Sequence, residues 1–198
     1  MAGKKTDNNG GQVLAEIIKH ISDKTYPPVH LWNPEFCGDI DLRIAKDGTW
    51  YYMNSPIGRH EMVRLFSTVL RKDESGYFLV TPVEKLSIKV DDVPFQVVRM
   101  QHFGEGKDQT LSFETLTDDK IVAGADNPIR IEIDKKTDEP SPYLFIRGGM
   151  EGRIARSVYY ELVQLAEPKP SDKNTLGVWS RGEFFSLGQI EQPQGNAQ

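Results

Sequence analysis

Positive side chains stand where a helix is predicted to begin, in the segment Asn54 to Leu70, NSPIGRHEMVRLFSTVL. Turn residues followed by apolar residues at helical spacing predict an amphipathic helix here. A helix N-terminus carries roughly half a positive charge, so Arg59 and His60 in the first turn are unfavourable by about 0.3 to 1 kcal/mol when exposed. A bound anion would convert this repulsion into attraction, because backbone N–H groups and a guanidinium would converge on it. The alternative is that Glu61 neutralises its neighbours and the basic side chains lie in water.

The same arrangement is predicted a second time, 93 positions later. The strand WYYM at Trp50 to Met53 then aligns with YLFI at Tyr143 to Ile146, and the apolar stripes of the two following helices coincide. In the second copy Arg147 precedes the predicted helix and Arg153 takes the place of His60. Hairpin, helix and strand thus recur, which indicates a duplicated unit, although any strand followed by an amphipathic helix superposes in a similar way. An interface between two similar lobes is a favoured place for a ligand pocket.

A third group of polar residues lies at the predicted junction of the lobes, in TPVEKLSIKVDDVPF. It follows a Thr-Pro turn, and ordinary turn chemistry at strand ends explains it as an alternative to ligand binding. In the binding hypothesis the arginines pair with an anion and two hydroxyl groups donate hydrogen bonds to it. The carboxylate of Glu84 accepts from a base or ribose, or holds Lys85 in place. The predicted ligand-binding residues are Ser55, Arg59, Thr81, Glu84, Lys85 and Arg147.

Catalytic and metal chemistry find little support in the sequence. The four histidines lie far apart, and no Cys/His spacing would place two metal ligands on one face. No phosphate-binding loop, nucleophile elbow or dinucleotide fingerprint occurs. Asp39 and Asp41 would share one face of a strand, where they form either a coupled acid/base pair or a solvated surface. We therefore expect a protein that is not an enzyme and needs no metal or cofactor.

Composition restricts the possible partners. The chain has 198 residues, a formal net charge of -5, 38% hydrophobic and 27% charged residues. This balance predicts a folded core and argues against extended contact with nucleic acid, but a few local arginines can still hold one small anion. No run of about 18 apolar residues exists and the first twelve residues lack the apolar region of a signal peptide, so no membrane span and a cytoplasmic location are expected. Cys37, the lone cysteine, is expected to be a buried thiol.

The pattern along the chain predicts an α+β fold with two lobes. Apolar residues at helical spacing predict a first helix over Val13 to Ile21, and Asp47-Gly48 between two β-rich runs predicts a hairpin. From Gly76 onward, alternating runs separated by turn residues predict an antiparallel meander, followed again by a strand and a helix. The predicted organisation is a disordered tail over 1–12, an N-terminal α+β lobe over 13–79, a C-terminal lobe over 80–190 and a second tail over 191–198.

Several strings resemble a known family. SPIGR, TPVEK and DVPF, together with GDIDLRI, YLFIRG and ARSVYYEL, resemble the bacterial domain of unknown function 1285 family over about Trp32 to Leu187. The resemblance implies duplicated two-lobe α+β proteins whose second lobe is similar to a pleckstrin-homology-like antiparallel β roll with a C-terminal helix. It also implies a suspected small-ligand site between the lobes, nucleotide-like, and a role in signal transduction. It supplies no catalytic residues.

Two functions remain open from the sequence. The first is a non-enzymatic cytoplasmic protein that holds a small anionic or nucleotide-like ligand at the interface of the lobes. The alternative is a protein–protein interaction module that uses the β roll and binds no small ligand, because sheets often dock a peptide or partner along a strand edge.

Overall fold

The structure, a computed structural model, describes residues 26–189. The chain divides into two compact units. The N-terminal unit runs to Pro94 and also includes Gly148–Met150, and the C-terminal unit holds Phe95–Arg147 and the residues from Glu151 onward.

The N-terminal unit is built on a six-stranded sheet, with helix α1 (His60–Thr68) between its third and fourth strands. The order across the sheet is β3-β2-β1-β6-β5-β4. Neighbouring strands are antiparallel except at the centre, where β1 and β6 run parallel. The strands are β1 (Phe36–Ile44), β2 (Trp50–Tyr52), β3 (Ser55–Pro56), β4 (Leu70–Asp73), β5 (Gly76–Val80) and β6 (Lys85–Val90).

Alternating residues bury one face of this sheet. Leu42 and Ile44 on β1 are buried, whereas Arg43 between them is half-buried, as expected for side chains that point to opposite faces. Ile44 pairs with Trp50 of β2, and the Trp50 ring stacks on Phe66 of α1 with 6.3 Å between ring centroids. The amphipathic helix therefore packs its apolar stripe on the buried face of the sheet.

The C-terminal unit has a six-stranded sheet, helix α2 (Arg156–Gln164) and a small antiparallel sheet. The large sheet has the order β10-β11-β12-β7-β8-β9, with β7 and β12 parallel at its centre, and the small sheet has the order β13-β14-β15. The strands are β7 (Phe95–Phe103), β8 (Thr110–Thr115), β9 (Lys120–Val122), β10 (Ile129–Ile133), β11 (Pro140–Arg147), β12 (Met150–Ile154), β13 (Glu167–Lys169), β14 (Asp172–Ser180) and β15 (Glu183–Gln189).

The two large sheets share one topology. Each consists of two three-stranded meanders, joined where the first strand of one meander runs parallel to the last strand of the other. Three strands, a helix and three strands occur in this order twice, around α1 and around α2. The three strands that follow α1 belong to the six-stranded sheet of the N-terminal unit, whereas the three strands that follow α2 form the small sheet. The repeated order predicted from the sequence is present, but its two copies pair differently.

The balance of elements differs from the predicted α+β class. The described residues are mostly β, with α1 and α2 as their two α-helices. The antiparallel meander predicted from Gly76 onward is also not continuous, because β5 and β6 belong to one sheet and β7 belongs to another, where it runs parallel to β12. Alternation of apolar and polar residues specifies a half-buried strand but not the direction of its neighbour, so local pattern could not reveal this pairing.

The division between the units also lies elsewhere than predicted. The predicted boundary between residues 79 and 80 lies inside β5. In the structure β6 pairs with β5 on one side and with β1 on the other, so the N-terminal sheet continues to residue 90 and the unit ends at Pro94.

The second predicted helix begins later than expected. Gly148 and Gly149, with φ of 57° and 74°, form a turn into β12, and α2 begins only at Arg156. Arg153 therefore lies on a strand, and Arg156 is the cation in the first turn of α2. The prediction of a buried Cys37 is wrong as well, because its thiol lies exposed near the start of β1.

Three predictions fall outside residues 26–189: the helix over Val13 to Ile21 and the tails over 1–12 and 191–198. Among the residues that the structure describes, no helix is both long enough and apolar enough to cross a membrane.

Candidate functional site

Ser55 and Arg59 flank the short connection from the first hairpin to α1. Ser55 pairs with Tyr52 across a two-residue turn formed by Met53 and Asn54, which both have positive φ, 49° and 61°. Such a turn matches the twist of the flanking strands, but methionine adopts this backbone conformation rarely. The turn leaves Ser55 exposed on an edge strand, five residues before the first residue of α1.

Arg59 is the N-cap residue of α1. Its backbone is extended, with φ -91° and ψ 103°, and its carbonyl oxygen accepts from the N–H groups of Met62 and Val63 at 3.0 and 3.2 Å. No side chain caps the helix, so the first N–H groups lack the oxygen acceptor that a Ser, Thr, Asp or Asn cap supplies. Within residues 26–189 no hydrogen bond or ion pair engages the exposed Arg59 guanidinium, and Glu61 is the acidic residue of the first turn. The helix start therefore offers N–H donors and a cation to an anion.

Thr81 and Glu84 close the turn between β5 and β6. The Thr81 side chain is buried, and its hydroxyl oxygen accepts from the backbone N–H groups of Glu84 at 3.0 Å and Val83 at 3.3 Å. The Thr81 N–H donates to the Glu84 carbonyl at 2.9 Å. Thr81 therefore builds the turn, and its hydroxyl is engaged by backbone groups of the same turn.

Lys85 is held by a carboxylate of its own unit. Its ammonium lies 2.6 Å from Asp73 Oδ2 and 4.0 Å from the centroid of the Phe78 ring. The guanidinium of Arg71 binds the same carboxylate through two bonds of 2.8 and 2.9 Å. The Arg71 hydrogen bond and that of Lys85 lower the pKa of Asp73 in spite of partial burial, so the two cations share this one carboxylate.

Arg147 is the last residue of β11 and is bound to a buried carboxylate. The Asp119 side chain accepts from Arg147 through one oxygen, and the guanidinium lies 4.6 Å from the centroid of the Phe95 ring. The other oxygen accepts from the hydroxyls of Thr115 at 3.0 Å and Thr117 at 2.6 Å. We call Thr115, Thr117, Asp119 and Arg147 the Asp119 network. It ties the β8–β9 turn to the end of β11.

Arg153, the counterpart proposed for His60, also has structural partners. Its two terminal nitrogens donate to the hydroxyls of Tyr143 at 2.9 Å and Ser141 at 2.8 Å. Arg130 lies 4.2 Å from the centroid of the Tyr143 ring and is bound at 2.6 and 2.7 Å by the carboxylate of Glu151, which raises the pKa of Arg130. These contacts link β10, β11 and β12 of the large sheet.

The predicted residues thus fall into three places. Thr81, Glu84 and Lys85 form one turn, Ser55 and Arg59 flank another connection, and Arg147 belongs to the C-terminal unit. That Arg147 shares a site with Arg59 stays a prediction.

The carboxylates that engage two of the predicted cations were missed. Arg71 and Asp73 stand two apart on β4, and this spacing places both side chains on one face of a strand, so it could have indicated their pairing. No local signal connects Asp119 to Arg147, which is 28 positions away. Among residues 26–189, no group of His, Cys, Asp and Glu side chains is arranged to hold a metal ion.

The described residues form a mostly β protein of two units, and each unit has a six-stranded sheet and one α-helix. The chain belongs to the DUF1285 family: residues 27–93 match its N-terminal domain, described as a domain of unknown function, and residues 94–187 match its C-terminal domain, described as a protein of unknown function. The family expected from SPIGR, TPVEK and DVPF is thereby confirmed.

Two solved structures are similar to this chain. A DUF1285 family protein from Silicibacter pomeroyi DSS-3 is 48% identical, with a TM-score of 0.83 over 90% of this chain and 96% of that one. A DUF1285 family protein from Shewanella baltica OS155 is 24% identical, with a TM-score of 0.48 over 62% of this chain and 90% of that one. No functionally curated protein matches the sequence.

Proposed function

We propose that this protein is a non-enzymatic binder of a small anionic ligand, of the phosphate or nucleotide class, and that Arg59 is its principal anchor. The uncapped N-terminus of α1 supplies N–H donors beside the guanidinium, and the exposed Ser55 hydroxyl is available as a further donor. The ligand would therefore be held by charge-assisted hydrogen bonds and not by a deep apolar pocket. The cytoplasmic location and a role in signalling stay predictions.

The observation that carries this proposal is the absence of a side-chain cap on a helix that begins with a cation. Lys85 and Arg147 are already in contact with Asp73 and Asp119, so an anion at either place would have to displace a carboxylate from that cation. At Arg59 an anion would displace water, because no carboxylate within residues 26–189 is paired with it. Of the predicted cations, Arg59 is thus the one whose charge is available.

A thermal-shift screen of phosphate, phosphorylated metabolites and nucleotides tests the proposal. A ligand at 100 times its Kd should stabilise the folded protein by about 2.7 kcal/mol, and Arg59→Ala should abolish that shift. Arg156→Ala is the matched control, because Arg156 also begins a helix but donates to the Tyr160 hydroxyl at 2.8 Å. Unchanged melting curves across the panel, or shifts that Arg59→Ala and Arg156→Ala reduce equally, would refute the assignment.

The interaction module is a second candidate, supported by the outward face of α2. Tyr160 and Val163 are exposed and stand three positions apart, which places them on one side of the helix. Six strands followed by a helix in the C-terminal unit are the element order of the proposed pleckstrin-homology-like roll, although the sheet contains one parallel pair. Under it, Tyr160→Asp would abolish binding to a protein partner and Arg59→Ala would leave it unchanged.

A further inference from the structure

Exposed apolar side chains are concentrated at the N-terminal end of the described chain. The exposed fractions are 50% for Tyr26, 72% for Leu31, 58% for Phe36 and 61% for Val83. They are four of the ten large apolar side chains that are exposed within residues 26–189; three belong to residues 26–36, and Val83 belongs to the β5–β6 turn of the same unit. Phe36 is the first residue of β1 and pairs with Lys85, the first residue of β6. Val83 lies two residues before Lys85, so Phe36 and Val83 are at the same end of the parallel pair. We call these four apolar residues the connector patch.

The connector, residues 26–35, is fixed in place by hydrogen bonds. Arg71 on β4 donates through one terminal nitrogen to the carbonyl oxygens of Val29 at 3.1 Å and Trp32 at 2.7 Å. Asp73 holds the same guanidinium from its other side. Leu31 lies between these two anchored carbonyl groups, so its backbone is fixed while its side chain is exposed to solvent.

The Phe36 ring packs on the sheet with one side only. Its ring meets the buried Phe78 ring edge to face, with 6.3 Å between centroids, and Lys85 covers another part of Phe78 at 4.0 Å. Most of the Phe36 side chain nevertheless lies in solvent. Each Å² of apolar surface removed from water stabilises by about 25 cal/mol, so a second apolar layer over Phe36 would be favourable.

The preceding segment of the chain has the pattern required of such a layer. Val13, Leu14, Ile17, Ile18 and Ile21 follow helical spacing, and nine residues are too few for a helix to be stable alone in water. Residues 22–25 connect this segment to Tyr26 and can extend over about 18 Å, which gives the segment an effective concentration on the order of millimolar at the patch. We propose that Val13 to Ile21 docks its apolar stripe on the connector patch.

Hydrogen–deuterium exchange on the full chain tests this docking. The amides of residues 13–21 should exchange at least tenfold more slowly in the unaltered protein than in Ile17→Glu, which places a charge in the apolar stripe. Lys19→Gln changes the net charge by the same amount on the opposite side of the helical spacing, and it should retain the protection. Equal exchange of residues 13–21 in all three proteins would overturn the proposal.

A substitution within the connector patch, Phe36→Asp, tests the same docking. This change should remove the protection of residues 13–21, whereas Phe103→Asp, at a phenylalanine of the C-terminal unit that is 62% exposed, should not. Amides of β5 and β6 serve as the folding control, and their protection should be the same in both variants. The segment is excluded as the occupant if protection depends on protein concentration, or if sedimentation shows a dimer that Phe36→Asp dissociates, because a second copy would then cover the patch.

Discussion

Replacing Asp119 by asparagine tests whether Arg147 belongs to the Asp119 network or to a ligand site. Asp119 is 4% exposed and accepts from a guanidinium and from two threonine hydroxyls. Asparagine keeps the shape and one acceptor oxygen. It loses the negative charge, however, and places an NH₂ group where an acceptor stood. The partly buried guanidinium of Arg147 then loses the negative charge of Asp119.

The expected loss of stability follows from burial and charge. A hydrogen bond to a charged group contributes about 1.5 to 3 kcal/mol, and breaking a fully buried ion pair costs about 3 to 5 kcal/mol. The Arg147 side chain is 23% exposed, so water can take over part of its solvation. We therefore expect Asp119→Asn to cost about 2 to 3 kcal/mol. For a unit of roughly 100 residues this lowers the Tm by about 8 to 24 °C.

Calorimetry and urea unfolding measure this loss, and the neighbouring aspartate provides the control. Asp118→Asn removes the same charge at an exposed position with φ 63°, a conformation that asparagine tolerates, and it should change stability by less than about 0.5 kcal/mol. Arg147→Met should cost about as much as Asp119→Asn, and the double variant should cost less than the sum of the two. If Asp119→Asn is as stable as Asp118→Asn, the network does not support the fold and Arg147 becomes available for a ligand.

Three further changes test local arguments. Asp73→Asn should lower the stability by about 1 to 2 kcal/mol at pH 7. Because the pKa of Asp73 is lowered in the folded state, this loss should disappear as the pH falls from the unfolded pKa of about 3.9 through the lowered folded-state pKa. A loss that does not depend on pH in urea titrations would contradict the pairing. Gly177→Ala should cost about 3 kcal/mol in the same assay, because its Cβ would lie 2.3 Å from a carbonyl oxygen of β15, whereas Gly188→Ala, with open space, should not. Replacing Met53 and Asn54 by Asn and Gly should raise the stability by about 1 kcal/mol, because both positions have positive φ, and a loss would show that the turn is held by other contacts.

Local features of the fold could be predicted because they depend on neighbouring residues. The hairpin at Asp47-Gly48 is confirmed, with Ile44 paired to Trp50 and φ of 83° at Gly48. The amphipathic spacing after Glu61 likewise predicts α1, and in the structure this helix begins at His60. Strand β12 was missed because Gly148 and Gly149 precede a helical pattern, and the positive φ of both glycines is visible only in the folded chain.

Pairing across the sheets could not be predicted in the same way. The parallel contacts of β1 with β6 and of β7 with β12 join strands that are separated by several other elements. The strands that come together in each pair carry the same alternating pattern as their antiparallel neighbours, so the sequence does not distinguish the two arrangements. The division of the units depends on one of these contacts, which explains why the predicted boundary fell inside β5.

The sequence also does not reveal which anion pairs with each lysine or arginine of the candidate site. A lysine or arginine has the same appearance in a sequence whether a carboxylate of its own chain or an incoming anion neutralises it. Lys85 and Arg147 have carboxylate partners, so an anion that binds there must first displace Asp73 or Asp119. If that displacement costs about 1.4 to 2.8 kcal/mol, the anion binds about 10 to 100 times more weakly there than at a cation held only by water. Arg59→Ala should therefore reduce anion affinity far more than Lys85→Ala does, and equal reductions measured by titration calorimetry would contradict this reasoning.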